Sequence, residues 1–303
     1  MFAETFLSLV GFIAVQAAQP TSLVLRELPV AKYVPGPYPI PVKRRADTFG
    51  VDTTARAAFV VDVPSGRSLY EKDSNTPYPV ASLTKLMTAM VLLDSTPDLR
   101  EEVTLTDEDD PHEGKAVFPI GERLTKQELL QALLVGSVNM AGNALARTTG
   151  GTESFVKKMN AKAHELGMWR ASFVDPTGLN SENQASARDV AFALRAALNY
   201  PAIREITKQE KIDLQGHATG KPYAVKSTNL LLGSFLNKSP YRIMAGKTGS
   251  LKEAGFCLAQ ATRDEEDHEI ITVVLGSENH FVRFQDAKAL TYWVFQNFLW
   301  KRT

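Results

Sequence analysis

The sequence predicts an α/β protein of the α+β type: an antiparallel sheet flanked by helices and interrupted by a large helical subdomain. Three observations carry that expectation. Apolar or amphipathic runs of strand length lie at both ends of the chain, at residues 57–63 and 67–71 and again at 255–262 and 270–276. Between them, pairs such as Thr125 and Glu128 or Ser186 and Asp189 precede apolar residues at helical spacing, the signature of capped helices. Near the C-terminus, Phe284, Ala287, Leu290, Val294 and Phe298 also recur at helical spacing, so this segment is expected to cover one sheet face.

Taken in order, the chain begins with an apolar segment at residues 6–15 followed by Val15-Gln16-Ala17, a small-residue pattern that a signal peptidase cuts. Residues 1–17 are expected to be a signal peptide, although the usual basic n-region is missing. The segment is short for a bilayer span, and no other stretch supplies eighteen apolar residues, so no transmembrane domain is expected in the mature chain. Residues 18–50 read as a proline-rich lead or linker, because Pro20, Pro29, Pro35, Pro37, Pro39 and Pro41 prevent a long regular element. Lys43, Arg44 and Arg45 end this stretch as a solvated trio. The folded region, 51–303, is expected to start near Asp52.

Pro64-Ser65-Gly66 joins the first two strand runs as a hairpin. The helical insertion then runs from about residue 83 to 245. It starts with the apolar run 83–93, continues with Leu129, Leu130, Leu133 and Leu134, and then with Phe155, Val156, Met159 and Leu166, ending near Gly167. Val190, Ala193, Leu194 and Ala197 mark a further helix. The run Asp264-Glu265-Glu266-Asp267 between the last two strands reads as an exposed turn, since the spacing of a calcium loop is absent.

Composition excludes several functions. The 303 residues hold 34 basic and 34 acidic side chains, so there is no electrostatic footprint for nucleic acid. The single cysteine, Cys257, excludes an intrachain disulfide, and the five histidines are dispersed; no metal or cofactor is expected.

Chemistry is suggested by three short stretches. Ser82 and Lys85, three apart at the start of a buried helix, share one face, where a desolvated lysine can take the serine proton. In LVGSVNMAGNALA, Ser137 and Asn139 fall between two helices, placed to present a hydroxyl and an amide. In IMAGKTGSLKEAGF, Lys247, Thr248 and Gly249 fall in extended or turn-forming sequence ahead of a strand. Each alone is compatible with a cap, a turn or a solvated lysine; together, in this order, they supply the groups required for acyl transfer.

The series S-x-x-K, S-x-N and K-T-G, with the surroundings ASLTKLMTA, LLVGSVNMAGNALA, MNAKAHELGM, FVDPTGLN, SARD and AGKTGSLKEAGFCL, resembles the serine D-alanyl-D-alanine peptidases of the S11 family, the low-molecular-mass penicillin-binding proteins. The resemblance covers residues 57–299 and is strongest to the compact D-alanyl-D-alanine endopeptidase type. It implies a beta-lactamase/DD-peptidase-like catalytic domain, and peptidoglycan stem peptides or cross-links as substrates. It also implies beta-lactams as covalent inhibitors and an exported, periplasmic location. Ser82 would be the nucleophile, Lys85 its base and Ser137 a proton relay. Asn139 would hold the substrate backbone, Lys247 would supply positive charge, Thr248 would bond near a substrate carboxylate, and Gly249 would admit the substrate strand. The N–H groups of Ser82 and Ser250 would form the oxyanion hole. Met140 departs from the charged residue common in relatives, which suggests altered pocket shape or preference. FVDPTGLN receives no chemical role, and Asp175 and Glu182 read as capping or solvated carboxylates rather than bases. A beta-lactamase or esterase with the same centre, and an inactive peptidoglycan-binding protein, are the alternatives.

Overall fold

The computed structural model describes residues 39–301 except 48, 96–97 and 113–116. The expected signal peptide and residues 18–38 of the lead lie outside the described residues. The first element already departs from expectation. Ile40–Lys43 (β1), inside the stretch read as a linker, is a strand despite Pro41. Four residues suffice because its partner is the C-terminal strand Phe298–Lys301, with Ile40 opposite Lys301. Ordered structure therefore begins before Asp52.

Ala57–Asp62 (β2) and Ser68–Lys72 (β3) form the expected hairpin. The middle of the chain follows: Tyr78–Pro79 (β4), Thr84–Ser95 (α1), Glu102–Thr104 (β5), Arg123–Thr125 (β6), Lys126–Val135 (α2), Asn139–Arg147 (α3) and Thr152–Glu165 (α4). Gln184–Ala185 (β7), Ala187–Ala197 (α5), Pro201–Thr207 (α6), Lys211–Gln215 (β8) and Pro222–Lys226 (β9) complete it. Both expected capping boxes are present: Thr125 with Glu128 starts α2, and Ser186 with Asp189 starts α5. The insertion is less purely helical than its periodicity predicts, because β4 pairs with β7, β5 with β6 and β8 with β9.

Tyr241–Leu251 (β10), Gly255–Asp264 (β11) and Glu269–Ser277 (β12) return to the main sheet, and Val282–Asn297 (α7) precedes the final strand β13 (Phe298–Lys301). Phe298 thus belongs to β13 rather than to the helix. The five-stranded antiparallel sheet has the order β10-β11-β12-β2-β3, which leaves β10 as an edge. Residues 265–267 form an exposed turn.

Alternation along the strands divides two cores. Phe59, Val61, Ala259, Ala261, Ile271 and Val273 face the larger core, shared with α1 and α5. Val60, Leu258, Ile270 and Val274 face α7 through Phe284, Ala287, Leu290 and Val294. Because both faces are covered, β2 is buried along its whole length and shows no polar alternation. The edge strand β10 and the start of α1 meet where these layers join.

Candidate active site

The site begins with a strained turn. Ala81 has φ of 48° and leads into the 3-10 turn Ala81–Leu83, from which α1 continues. Gly178 (φ 84°) supports this turn so closely that a Cβ there would lie 1.9 Å from the Ala81 carbonyl oxygen; only glycine fits. Nine consecutive residues, Thr84 to Leu92, are buried, so α1 anchors Lys85 in its first turn and Ser82 in the 3-10 turn just before it.

Lys85 does not snorkel. It is fully buried, and its Nζ lies 2.7 Å from Ser82 Oγ, 2.7 Å from Asn139 Oδ1 and 2.6 Å from the Thr177 carbonyl oxygen. Two of these partners can only accept. A neutral amine, with two N–H groups and one lone pair, therefore donates to Asn139 and Thr177 and accepts the Ser82 hydroxyl proton. Burial lowers the Lys85 pKa to about 7, against the opposing charge of Asp175, so this neutral form is well populated near neutral pH.

A second network faces it. Ser137 sits between α2 and α3 with φ of 59°, in the left-handed region rare for serine, and Asn139 opens α3 rather than lying in the loop before it. Lys247, Thr248, Gly249 and Ser250 lie within β10, in extended chain ahead of β11 as expected. Lys247 is buried, and its Nζ donates to Ser137 Oγ at 2.9 Å and to the Thr248 carbonyl at 3.0 Å. Burial, then the charges of Lys85 and Arg283, pushes its pKa well below the usual lysine range. Ser137 is thus bonded to Lys247 rather than to Ser82. Gly249 packs over the nucleophile turn: a Cβ there would lie 2.8 Å from the Val80 carbonyl and 3.1 Å from the Ser82 nitrogen.

Ser82, Ser137, Thr248, Gly249 and Ser250 line one cleft of about 330 Å³. Lys85 joins it through Ser82, Asn139 through Lys85, and Lys247 through Ser137, so the residues singled out from the three motifs are brought together. Met140 is buried in the larger core and fills space there, and Glu182 is exposed. Asp175 is a turn organiser, accepting from the N–H groups of Thr177, Gly178 and Asn180 and from the Thr177 hydroxyl.

Sequence reasoning missed four contributions. FVDPTGLN supplies the Thr177 acceptor and the Gly178 support, and Asn183 ties that loop to Thr84 through Nδ2 at 3.2 Å. Thr228 accepts from the Thr248 hydroxyl at 2.6 Å on the opposite wall. Arg283, only 3% exposed, donates to the Gly249 carbonyl at 2.9 Å and lies 3.1 Å from His280 Nδ1. It pairs with no carboxylate among the described residues, and burial lowers its pKa to about 10. Its only sequence signal was an arginine inside an otherwise core-facing helix.

Comparison with known proteins agrees with this geometry. The family Peptidase S11, D-alanyl-D-alanine carboxypeptidase, matches residues 43–279. A D-alanyl-D-alanine endopeptidase of Pseudomonas aeruginosa is 34% identical over 242 residues, covering 78% of this chain and 76% of the relative. The Streptomyces K15 DD-transpeptidase crystal structure superposes with a TM-score of 0.76 at 27% identity, over 82% of this chain and 100% of that one. Penicillin-binding protein D2 of Listeria monocytogenes, in its cefotaxime-bound form, gives 0.72 at 28% identity over the same shares.

Proposed function

The chain belongs to the S11 family of D-alanyl-D-alanine carboxypeptidases, and on that premise we propose how its own residues carry the reaction. The activity is that of a serine D-alanyl-D-alanine peptidase acting on peptidoglycan peptides. The observation that carries the residue assignment is the buried Lys85 amine, whose two acceptor partners leave its lone pair for the Ser82 hydroxyl.

Ser82 Oγ attacks the carbonyl carbon of the scissile amide and its proton passes to Lys85 Nζ. The oxyanion is met by the N–H groups of Ser82 and Ser250. As the C–N bond breaks, the leaving amine receives a proton through Ser137 and the adjoining Lys247. Water then attacks the acyl carbon, its proton returning through Ser137 to Lys247, and Ser82 Oγ leaves with the proton held on Lys85. Asn139 Nδ2 holds the substrate backbone, while Thr248 and Arg283 meet the carboxylate beyond the scissile bond. Stem peptides and cross-links are the substrates, and a beta-lactam acylates Ser82 and leaves slowly.

Intact-mass measurement after penicillin exposure tests this reading. One covalent adduct is expected on the native enzyme and none on Ser82→Ala; an adduct that survives the substitution removes Ser82 from its role. The same reading has residues 1–17 cleaved on export and the enzyme acting in the periplasm. Among the described residues, no helix is long and apolar enough to cross a membrane. Sequencing the N-terminus of the exported protein checks the cleavage.

A further inference from the structure

A second cleft, of about 580 Å³, opens beside the catalytic one and shares Ser250 with it. Its floor is bare because Gly255 (φ 65°) and Gly276 (φ 68°) face each other across β11 and β12. A Cβ on Gly255 would come 3.1 Å from the Gly276 Cα. The stem of Arg56 lies flat on Gly276, where a Cβ would meet its Cδ at 2.8 Å. Arg56 and Lys252 are both exposed and both line this cleft, and neither pairs with a carboxylate among the described residues. Among the described residues, Arg56 donates only to the Glu253 carbonyl, at 3.4 Å. Glu278 is the one acid in the lining, so the local balance is cationic.

The position of this cleft fixes which part of a substrate reaches it. Phe256 lines it, and His280 stacks edge-on against Phe256 with centroids 6.2 Å apart, forming the ridge between the two clefts. Arg283 lies over Phe256 at 5.7 Å and beside His280, so the second cleft continues from the side of the active site assigned above to the leaving group. Lys252 is two residues beyond Ser250, in the turn that follows β10. A leaving group of one alanine ends before that point, whereas a peptide continues into it.

We propose that this cleft binds the leaving peptide of a cross-link, with Arg56 and Lys252 holding a carboxylate further along that peptide than the one met by Thr248 and Arg283, which makes the chain an endopeptidase by construction; the inference rests on the peptidase reading above. The test compares native enzyme with Arg56→Glu/Lys252→Glu on cross-linked muropeptide dimers, on pentapeptide monomers, and on dimers whose leaving-stem carboxylates are amidated except the one next to the scissile bond. Penicillin acylation reports that the variant is folded. The double reversal is expected to raise KM for unmodified dimers roughly tenfold, with monomer cleavage and acylation unchanged. Amidated dimers should bind the native enzyme as weakly as unmodified dimers bind the variant, and should not respond to the reversal. An unmoved dimer KM, an equal loss on monomers, or native enzyme that trims monomers but leaves dimers intact overturns the subsite while the peptidase reading stands. Native enzyme that neither acylates nor cleaves either substrate overturns the peptidase reading itself, and the subsite with it.

Discussion

Lys85 and Lys247 are the same residue in nearly the same setting. Each is buried, each bonds a serine hydroxyl, and each donates to a backbone carbonyl. The difference lies in the charges around them. Lys85 has Asp175 to stabilise its ammonium form, which opposes burial and leaves its pKa at about 7. Lys247 has only cations nearby, Lys85 and Arg283, and is driven further toward the neutral amine. Desolvation makes both amines available; the neighbouring charges separate their tasks. Lys85 can cycle between base and acid near neutral pH. Lys247 regains its proton most readily when a substrate carboxylate enters and offsets the surrounding positive charge.

Removing one amine at a time is the sharpest way to break this comparison. Lys85→Met takes away the amine bonded to Ser82, and the acylation rate with penicillin should fall about 10³-fold. Gly178→Ala attacks the same region through the backbone: with a positive φ and the Ala81 carbonyl in the way, it should destabilise the fold by about 3 kcal/mol or more in denaturant titration and slow acylation with it. Lys247→Met should slow acylation less, roughly 10²-fold, because Ser82 keeps its direct base. Equal losses from the two lysine substitutions would show that the amines act as one unit.

The smallest effect is the most diagnostic. Acylation should rise with pH through about 7 as Lys85 loses its proton, since only the neutral amine accepts from Ser82. Asp175→Asn keeps an acceptor oxygen for the turn but removes the charge that favours the ammonium form. The pKa must then fall, and the rising limb should move to lower pH by less than about one unit. A limb that stays in place, or moves upward, would assign the titration to another group.

The residues that meet at this candidate site were legible because acyl transfer requires few residue types, and those types lie close together within each motif. Ser82 with Lys85 and Ser137 with Asn139 are spaced by local helix and turn geometry, and Lys247-Thr248-Gly249 by one strand. What could not be read was whatever depends on chain segments meeting. The Thr177 acceptor is a backbone oxygen with no sequence identity, and Arg283 reaches Gly249 only because α7 folds back across the sheet. The main sheet and both capping boxes followed from periodicity. The pairing of β1 with β13 did not, since Pro41 and a run of cations argue for a linker when the partner strand is out of view. The hairpins inside the helical layer are two to five residues long, below the length at which alternation is distinguishable.

The position of β10 at the end of the sheet bears on solubility. An open edge of eleven residues ordinarily invites another molecule to add a strand and begin aggregation. Here the stretch around Thr248 is buried and borders a cleft that Ser137 and Thr228 also line. Burial of that stretch leaves little of the edge for a second sheet to pair with.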